Sequence, residues 1–279
     1  MTDIAFNNEQ LGKVYTFWSP QVGSGTTFIA LQTAKRIAER GLKTILVDWD
    51  FRTPTLTRDL NAKDTAHYID NILPSALAKN VSKELLQTYT LNKGENFYFL
   101  SGITNPEQAL DIEADGLEYL LQLLKENFDV VIIDTNSFID NAGTFVALVK
   151  ADKVMMPIEK KYQSLRCFEY SRGFMENPRI MDFEKVHLVL NKVDKNILLS
   201  SQEVESYFGK DNSVEITNLG IDFINDDNIG KGEEFLRTSK KAMLFHDSID
   251  NMIEKYFELP ENAEGGKTKK RLFFGKGGK

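Results

Sequence analysis

Phe17-Trp18-Ser19-Pro20-Gln21-Val22-Gly23-Ser24-Gly25-Thr26-Thr27-Phe28 is the stretch whose reading decides the fold. Residues 13–18 read as a short buried strand. Residues 27–40 place Phe28, Leu31, Ala34, Ile37 and Ala38 at helical spacing, with Gly41 as the stop. A glycine turn that feeds a helix amino terminus points backbone N–H groups and the positive dipole end at one spot, which makes an anion site. The same wording also serves as a tight strand-to-helix turn with no ligand, so the turn alone leaves both readings open.

Outward from the turn, a second strand at 44–47 runs into Asp48-Trp49-Asp50, and the alternation continues. Strands are expected at 97–100, 129–133, 153–157, 186–190 and 220–224. Helices are expected at 116–127, 142–150, 164–175, 201–208 and 240–257. Continuous Val/Ile/Leu strands between helices indicate an α/β fold, a mostly parallel sheet with helices on both faces. The expected division is an amino-terminal extension at 1–12, one nucleotide-fold domain at 13–258 and a flexible basic tail at 259–279.

Composition narrows the function classes. The 279 residues carry 34 basic and 41 acidic side chains, a net charge of −7, and 42% are hydrophobic, which excludes a disordered acidic chain. The charge is uneven. Residues 267–279 hold six basic and no acidic side chains, and the other 266 residues, with 28 basic against 41 acidic, stand at −13. So acidic a body argues against nucleic acid as the main partner, because phosphate binding draws on counterion release at a positive face. One cysteine, Cys167, cannot form an internal disulfide, and His67, His187 and His246 are too far apart in sequence to suggest a zinc or iron-sulfur site. The first eleven residues lack the order of a signal peptide and no apolar run reaches the ~20 residues of a spanning helix, so a cytoplasmic protein is expected.

Three segments carry chemistry. In the opening turn Thr27 stands where a P-loop Ser/Thr would hold Mg²⁺, while Thr26 occupies the place of the lysine that reaches the β/γ-phosphates in G-x-x-x-x-G-K-[ST]. Asp48 and Asp50 lie at the carboxyl end of the second strand, where ligands of open α/β sheets sit. Asp134 ends the apolar strand 129–133 with a carboxylate suited to water-mediated Mg²⁺ binding. One strand-terminal Asp is more often a cap or turn residue, but three such sites in the expected order point to a nucleotide.

On these residues the chain resembles the ParA/MinD family of P-loop ATPases, whose loop reads K-G-G-x-G-K-[ST]. Register on the glycines puts Gln21 at the signature lysine, Val22 and Gly23 at the glycine pair, Gly25 at the next glycine, Thr26 at the second lysine and Thr27 at the hydroxyl. The resemblance implies a nucleotide-binding set of Gly23, Ser24, Gly25, Thr26, Thr27, Phe28 and the adenine-reading Asn191. It implies Mg²⁺ at Thr27, Asp48 and Asp134, partly through water, and Asp50 as the catalytic residue if the protein is active. ATP or ADP with Mg²⁺ would be the cofactors and a homodimer the assembly. Both lysines are absent, and losing a cation on the phosphoryl group costs on the order of 10³-fold in rate or more. Weak or absent ATP hydrolysis is therefore expected, with Arg52 as a candidate substitute cation.

The departures look most like the atypical TadZ/CpaE-type members, which position membrane-associated pilus secretion machinery. Bacterial tyrosine kinases of the same superfamily share the wording of Asp48, Asp50, Arg52 and Pro54. In the tail, Lys269, Lys270, Arg271, Leu272, Phe273 and Phe274 resemble a membrane-targeting segment, since each cation near an anionic leaflet contributes about 1 kcal/mol. A solvated tail or an acidic protein partner fits the same residues. Two alternatives remain: an active ATPase of the same fold, and a DNA-partition protein with a basic patch at Arg237, Lys240 and Lys241, which the −13 body disfavours.

Overall fold

The structure, a computed structural model, describes residues 11–60, 62, 67–194 and 196–260. In chain order the elements are β1 (Lys13–Phe17), α1 (Thr26–Ala38), β2 (Thr44–Trp49), α2 (Leu56–Asp59), α3 (Ile69–Leu77), α4 (Lys83–Tyr89), β3 (Leu91–Gly94) and β4 (Phe97–Leu100). There follow α5 (Ala114–Asn127), β5 (Val130–Thr135), α6 (Ala142–Lys150), β6 (Lys153–Glu159), α7 (Tyr162–Met175), β7 (Val186–Val193) and α8 (Ser201–Phe208). The chain then forms β8 (Val214–Thr217), α9 (Gly220–Asn228), α10 (Gly232–Thr238) and α11 (Lys240–Tyr256).

The strands form one eight-stranded sheet in the order β3-β4-β2-β5-β1-β6-β7-β8, parallel throughout except for the β3–β4 pair. The apolar runs are explained by burial on both faces. Along β5, Val131 and Ile133 belong to one core with Leu117, Leu120 and Val146, while Val130 and Ile132 belong to the other with Ile29, Ile37 and Ile249. Each such side chain is fully or almost fully buried, which stabilises the fold by about 1.5–3 kcal/mol apiece. The α/β architecture is thus as expected from the sequence.

One element differs. Residues 220–224 begin helix α9, and the eighth strand is the shorter Val214–Thr217. Ile221 and Phe223 alternate as a strand would, but Gly220 takes a left-handed φ of 78° with its N–H on Asn218 Oδ1 at 2.9 Å, and this starts a helix. Phe223 then packs on Phe28 while Ile221 and Ile224 stay exposed. The helices α3 and α4 and the edge hairpin β3–β4 fill a region where the sequence had shown only the strand at 97–100.

Placement of the sheet edges matters for the site. Because β2, β5 and β1 are neighbours, their carboxyl ends bring Asp48, Asp134 and the glycine turn side by side. At the opposite edge, Phe257 stacks on Tyr15 at 4.0 Å, and Glu258 pairs with Lys13 at 3.4 Å and Lys153 at 3.0 Å, the first residues of β1 and β6. The expected tail residues from 261 onward, and the extension at 1–10, lie outside the described residues. Among the described residues no helix is long and apolar enough to cross a membrane.

Candidate functional site

The glycine turn is shaped by two left-handed residues, Gly23 at φ 80° and Gly25 at φ 89°, and Gly25 is the residue from which α1 starts. Side chains rarely adopt such φ values, so the curl needs glycine. At Gly25 there is also no room: a Cβ would stand 2.5 Å from Asn191 Nδ2. The turn opens on a cleft of about 660 Å³, lined by Gly23, Gly25, Thr26, Thr27 and Phe28 together with Asp50, Arg52, Asp59, Asn136 and Phe138. Cleft size and the helix amino terminus suit a phosphate-bearing small molecule.

Asp48 and Asp134 are register partners on adjacent strands and both are buried. Asp48 Oδ1 accepts from the Asp50 amide at 3.2 Å, and its Oδ2 has no hydrogen-bond partner; Asp134 Oδ1 is likewise without one. Burial first, then the neighbouring Asp134 and Asp50, push the Asp48 carboxyl well above the usual range. Burial likewise pushes Asp134 well up, with Asp50 and Asp59 adding to it and a hydrogen bond with the Thr27 hydroxyl opposing it. Two buried carboxylates with free oxygens beside a hydroxyl form a hard-oxygen donor set that fits Mg²⁺. Among the described residues no group of three or more His, Cys, Asp or Glu is placed to hold a metal by itself, so the remaining ligands would be Thr27, phosphate oxygens and water.

Asp50 lines the cleft, yet both its oxygens are engaged in the turn that follows β2: Oδ1 accepts from the Arg52 and Thr53 amides at 3.1 and 2.9 Å, and Oδ2 from Thr53 Oγ1 at 2.8 Å. Arg52 is the one cation among the described cleft-lining residues. Its guanidinium is bound to both oxygens of Asp140 and lies 5.4 Å from the Phe138 ring centre. Burial raises the Asp140 carboxyl, but the Arg52 and Asn141 hydrogen bonds outweigh it and hold it below the usual range.

The two positions at which the resemblance implies lysine are occupied otherwise. Gln21 is buried, its Oε1 accepting from Ser164 Oγ at 2.5 Å. Thr26 Oγ1 is 2.9 Å from Ser24 Oγ, a local pair within the turn. Neither side chain carries charge across the cleft. Asn191 does not line the cleft: Nδ2 donates to the Ser24 carbonyl at 2.6 Å and Oδ1 accepts from the Lys192 amide at 2.8 Å.

Residues not singled out from the sequence also meet here. Lys192 Nζ donates to the Gly23 carbonyl at 2.7 Å and to Glu159 Oε1 at 2.9 Å, and Asn136 and Phe138 line the cleft. The signal for Lys192 was its place directly after Asn191, just past the apolar run 186–190.

A family model described as AAA domain matches residues 12–170, more than half of the chain. Septum site-determining protein MinD of Helicobacter pylori is 23% identical over 196 residues, 68% of this chain and 70% of that protein. Protein IncC of Escherichia coli is 28% identical over 62% of this chain, and tyrosine-protein kinase CpsD of Streptococcus pneumoniae 25% identical over 48%. The matches span about half the length of these last two, 48% of IncC and 56% of CpsD. Among solved structures, a ParA family ATPase from Chlorobium tepidum superposes with a TM-score of 0.73 at 20% identity, covering 85% of this chain and 98% of that one. MinD from Pyrococcus horikoshii, complexed with Mg-ADP, superposes with a TM-score of 0.67 at 16% identity, over 87% and 96%. Identities this low speak to the fold alone.

Proposed function

The chain belongs to the AAA domain family, and we propose that within it this is an atypical ParA/MinD-type nucleotide-binding member that acts as a positioning factor or scaffold and hydrolyses ATP weakly or not at all, a reading supported by its likeness to MinD, IncC and a ParA family ATPase. ATP or ADP would lie with its phosphates on the backbone of residues 23–28, and Mg²⁺ beside Thr27, Asp48 and Asp134. The metal would neutralise phosphate charge; the protein's own groups bind and orient. The Mg-ADP complexed with MinD from Pyrococcus horikoshii supports this cofactor choice.

One observation carries the reading. Gln21 and Thr26 stand where the family has its lysines, the first tied to Ser164 and the second to Ser24. Backbone amides still bind an anion, but no lysine follows the charge that develops on a transferring phosphoryl group, a deficit on the order of 10³-fold. On this reading nucleotide would still bind, and turnover would be weak or absent.

A homodimer and a membrane-associated machine of pilus or secretion type are the proposed partners, by analogy with the TadZ/CpaE-type members. The basic residues at 267–279 would reach an anionic surface at the inner face of the membrane. In sequence they follow α11, whose carboxyl end lies at the side of the sheet opposite the cleft. The alternative of an active ATPase is favoured by Arg52, which lines the cleft and would have to exchange Asp140 for phosphate. Titration of purified protein with a fluorescent ATP analogue and Mg²⁺, beside a phosphate-release assay, tests the proposal. Saturable binding with background turnover is expected; turnover abolished by Asp50→Ala would overturn it in favour of the active enzyme.

A further inference from the structure

Two consecutive side chains at the end of β7 hold two consecutive carbonyls of the glycine turn. Asn191 Nδ2 donates to Ser24 O at 2.6 Å, and Lys192 Nζ donates to Gly23 O at 2.7 Å. The same ammonium bridges to Glu159 Oε1 at 2.9 Å, and Glu159 Oε2 in turn pairs with Lys161. Two lysines share one carboxylate, so this group leaves a net positive charge beside the turn. Lys192 also adopts a left-handed φ of 54°, a conformation that a lysine takes at a cost, and its Cε lies 3.9 Å from where a Cβ on Gly25 would stand.

A trans peptide sets its N–H opposite its C=O. Fixing the Gly23 and Ser24 carbonyls on the β7 side therefore turns the Ser24 and Gly25 amides to the other side. Gly23 and Gly25 line the cleft and Lys192 does not, so that other side is the one a phosphate would approach. Successive amides turned the same way form an anion-binding nest.

We propose that Lys192 is a positioning residue for the phosphate loop: from β7 it pins the Gly23 carbonyl, presets the loop amides for an anion, and supplies from behind the loop a positive charge that the loop sequence itself lacks. Its action runs through the Gly23 peptide, and it touches no phosphate. The affinity part of this claim rests on the nucleotide reading above; the loop-ordering part does not.

The test uses the full-length chain and the variants Lys192→Met and Lys192→Arg. Hydrogen exchange of the peptide covering residues 19–28 is followed without nucleotide, and binding of a fluorescent ATP analogue with Mg²⁺ is titrated in parallel. Lys192→Met should exchange the loop amides about tenfold faster and weaken nucleotide affinity by about tenfold or more, as expected for a lost charge-assisted hydrogen bond. Lys192→Arg should restore most of both, with melting temperatures close to wild type in each case. Should Lys192→Met fail to fold, Glu159→Gln, which removes the charge that holds Lys192 in place, should loosen the loop in the same direction. Unchanged exchange in Lys192→Met, or in Glu159→Gln where that variant is the one used, overturns the proposal, as does an arginine variant as loose as the methionine one. Wild-type protein that binds no nucleotide at millimolar concentration would sink the nucleotide reading, and the exchange measurement would still decide the brace.

Discussion

Gln21 Oε1 accepts a 2.5 Å hydrogen bond from Ser164 Oγ, and both side chains are buried. The residue at the family's signature-lysine position is thereby folded onto the start of its own chain's α7. Gln21→Lys would bury an ammonium in place of an amide and take away the acceptor of the Ser164 O–H, at a cost of about 1–3 kcal/mol. Chemical denaturation should show that loss. Phosphate release should stay near background in Gln21→Lys and rise about tenfold or more only in the Gln21→Lys/Thr26→Lys double variant.

Gly25 makes a sharper prediction. Its φ of 89° and the 2.5 Å separation between a built Cβ and Asn191 Nδ2 mean that Gly25→Ala must both strain the turn and displace Asn191. The left-handed conformation alone costs roughly 1–2 kcal/mol for a residue with a side chain. Nucleotide binding should fall below detection in a fluorescence titration, while far-UV circular dichroism stays that of an α/β protein.

The Asp48–Asp134 pair sets a pH and metal dependence. Both carboxyls have folded-state pKa values raised by burial and by neighbouring carboxylates. A raised acid favours folding while it is protonated, so this contribution is present at low pH and is lost as pH rises through the folded value. Asp48→Asn should leave melting temperature at neutral pH equal to or above wild type in the absence of metal. The additional stabilisation that Mg²⁺ gives with nucleotide should disappear in the variant, as read by thermal melts with and without Mg²⁺.

His187 acts in the opposite sense. Burial, helped by Lys153, Lys210 and Lys255, lowers its pKa to about 4, and its ring stacks on Tyr256 at 4.5 Å. The folded state prefers the neutral ring, so stability is full above the unfolded value near 6.5 and falls as pH drops from there toward 4. His187→Gln should remove that slope. The difference between the two proteins should reach roughly 1–2 kcal/mol, discounted for the partial exposure of the ring.

For the tail, pelleting with anionic vesicles should fall on deletion of residues 267–279 and weaken with salt, because the attraction is largely electrostatic. Equal pelleting of the two proteins would remove the membrane role.

How far the sequence spoke for itself depended on the physical signal available. Strands such as 129–133 were legible because burial on both faces requires an unbroken apolar run, and Asp48 and Asp134 because a carboxylate that ends such a run stands out. Residues 220–224 misled because Ile221 and Phe223 satisfy a strand's alternation while the helix is decided by Asn218 and the left-handed Gly220. The engagement of Gln21 with Ser164, of Arg52 with Asp140 and of Lys192 with Gly23 joins residues 143, 88 and 169 positions apart, and no local pattern encodes contacts that only the sheet order creates.

The central claim is a nucleotide site that has kept its amides and its carboxylates but lost its lysines. The most direct measurement is ATP binding and phosphate release on one sample of the full-length chain with Mg²⁺. Saturable binding with turnover indistinguishable from background, unchanged in Asp50→Ala, is the predicted result. Turnover at a rate ordinary for the family that vanishes in Asp50→Ala, or no binding at millimolar ATP, would contradict it.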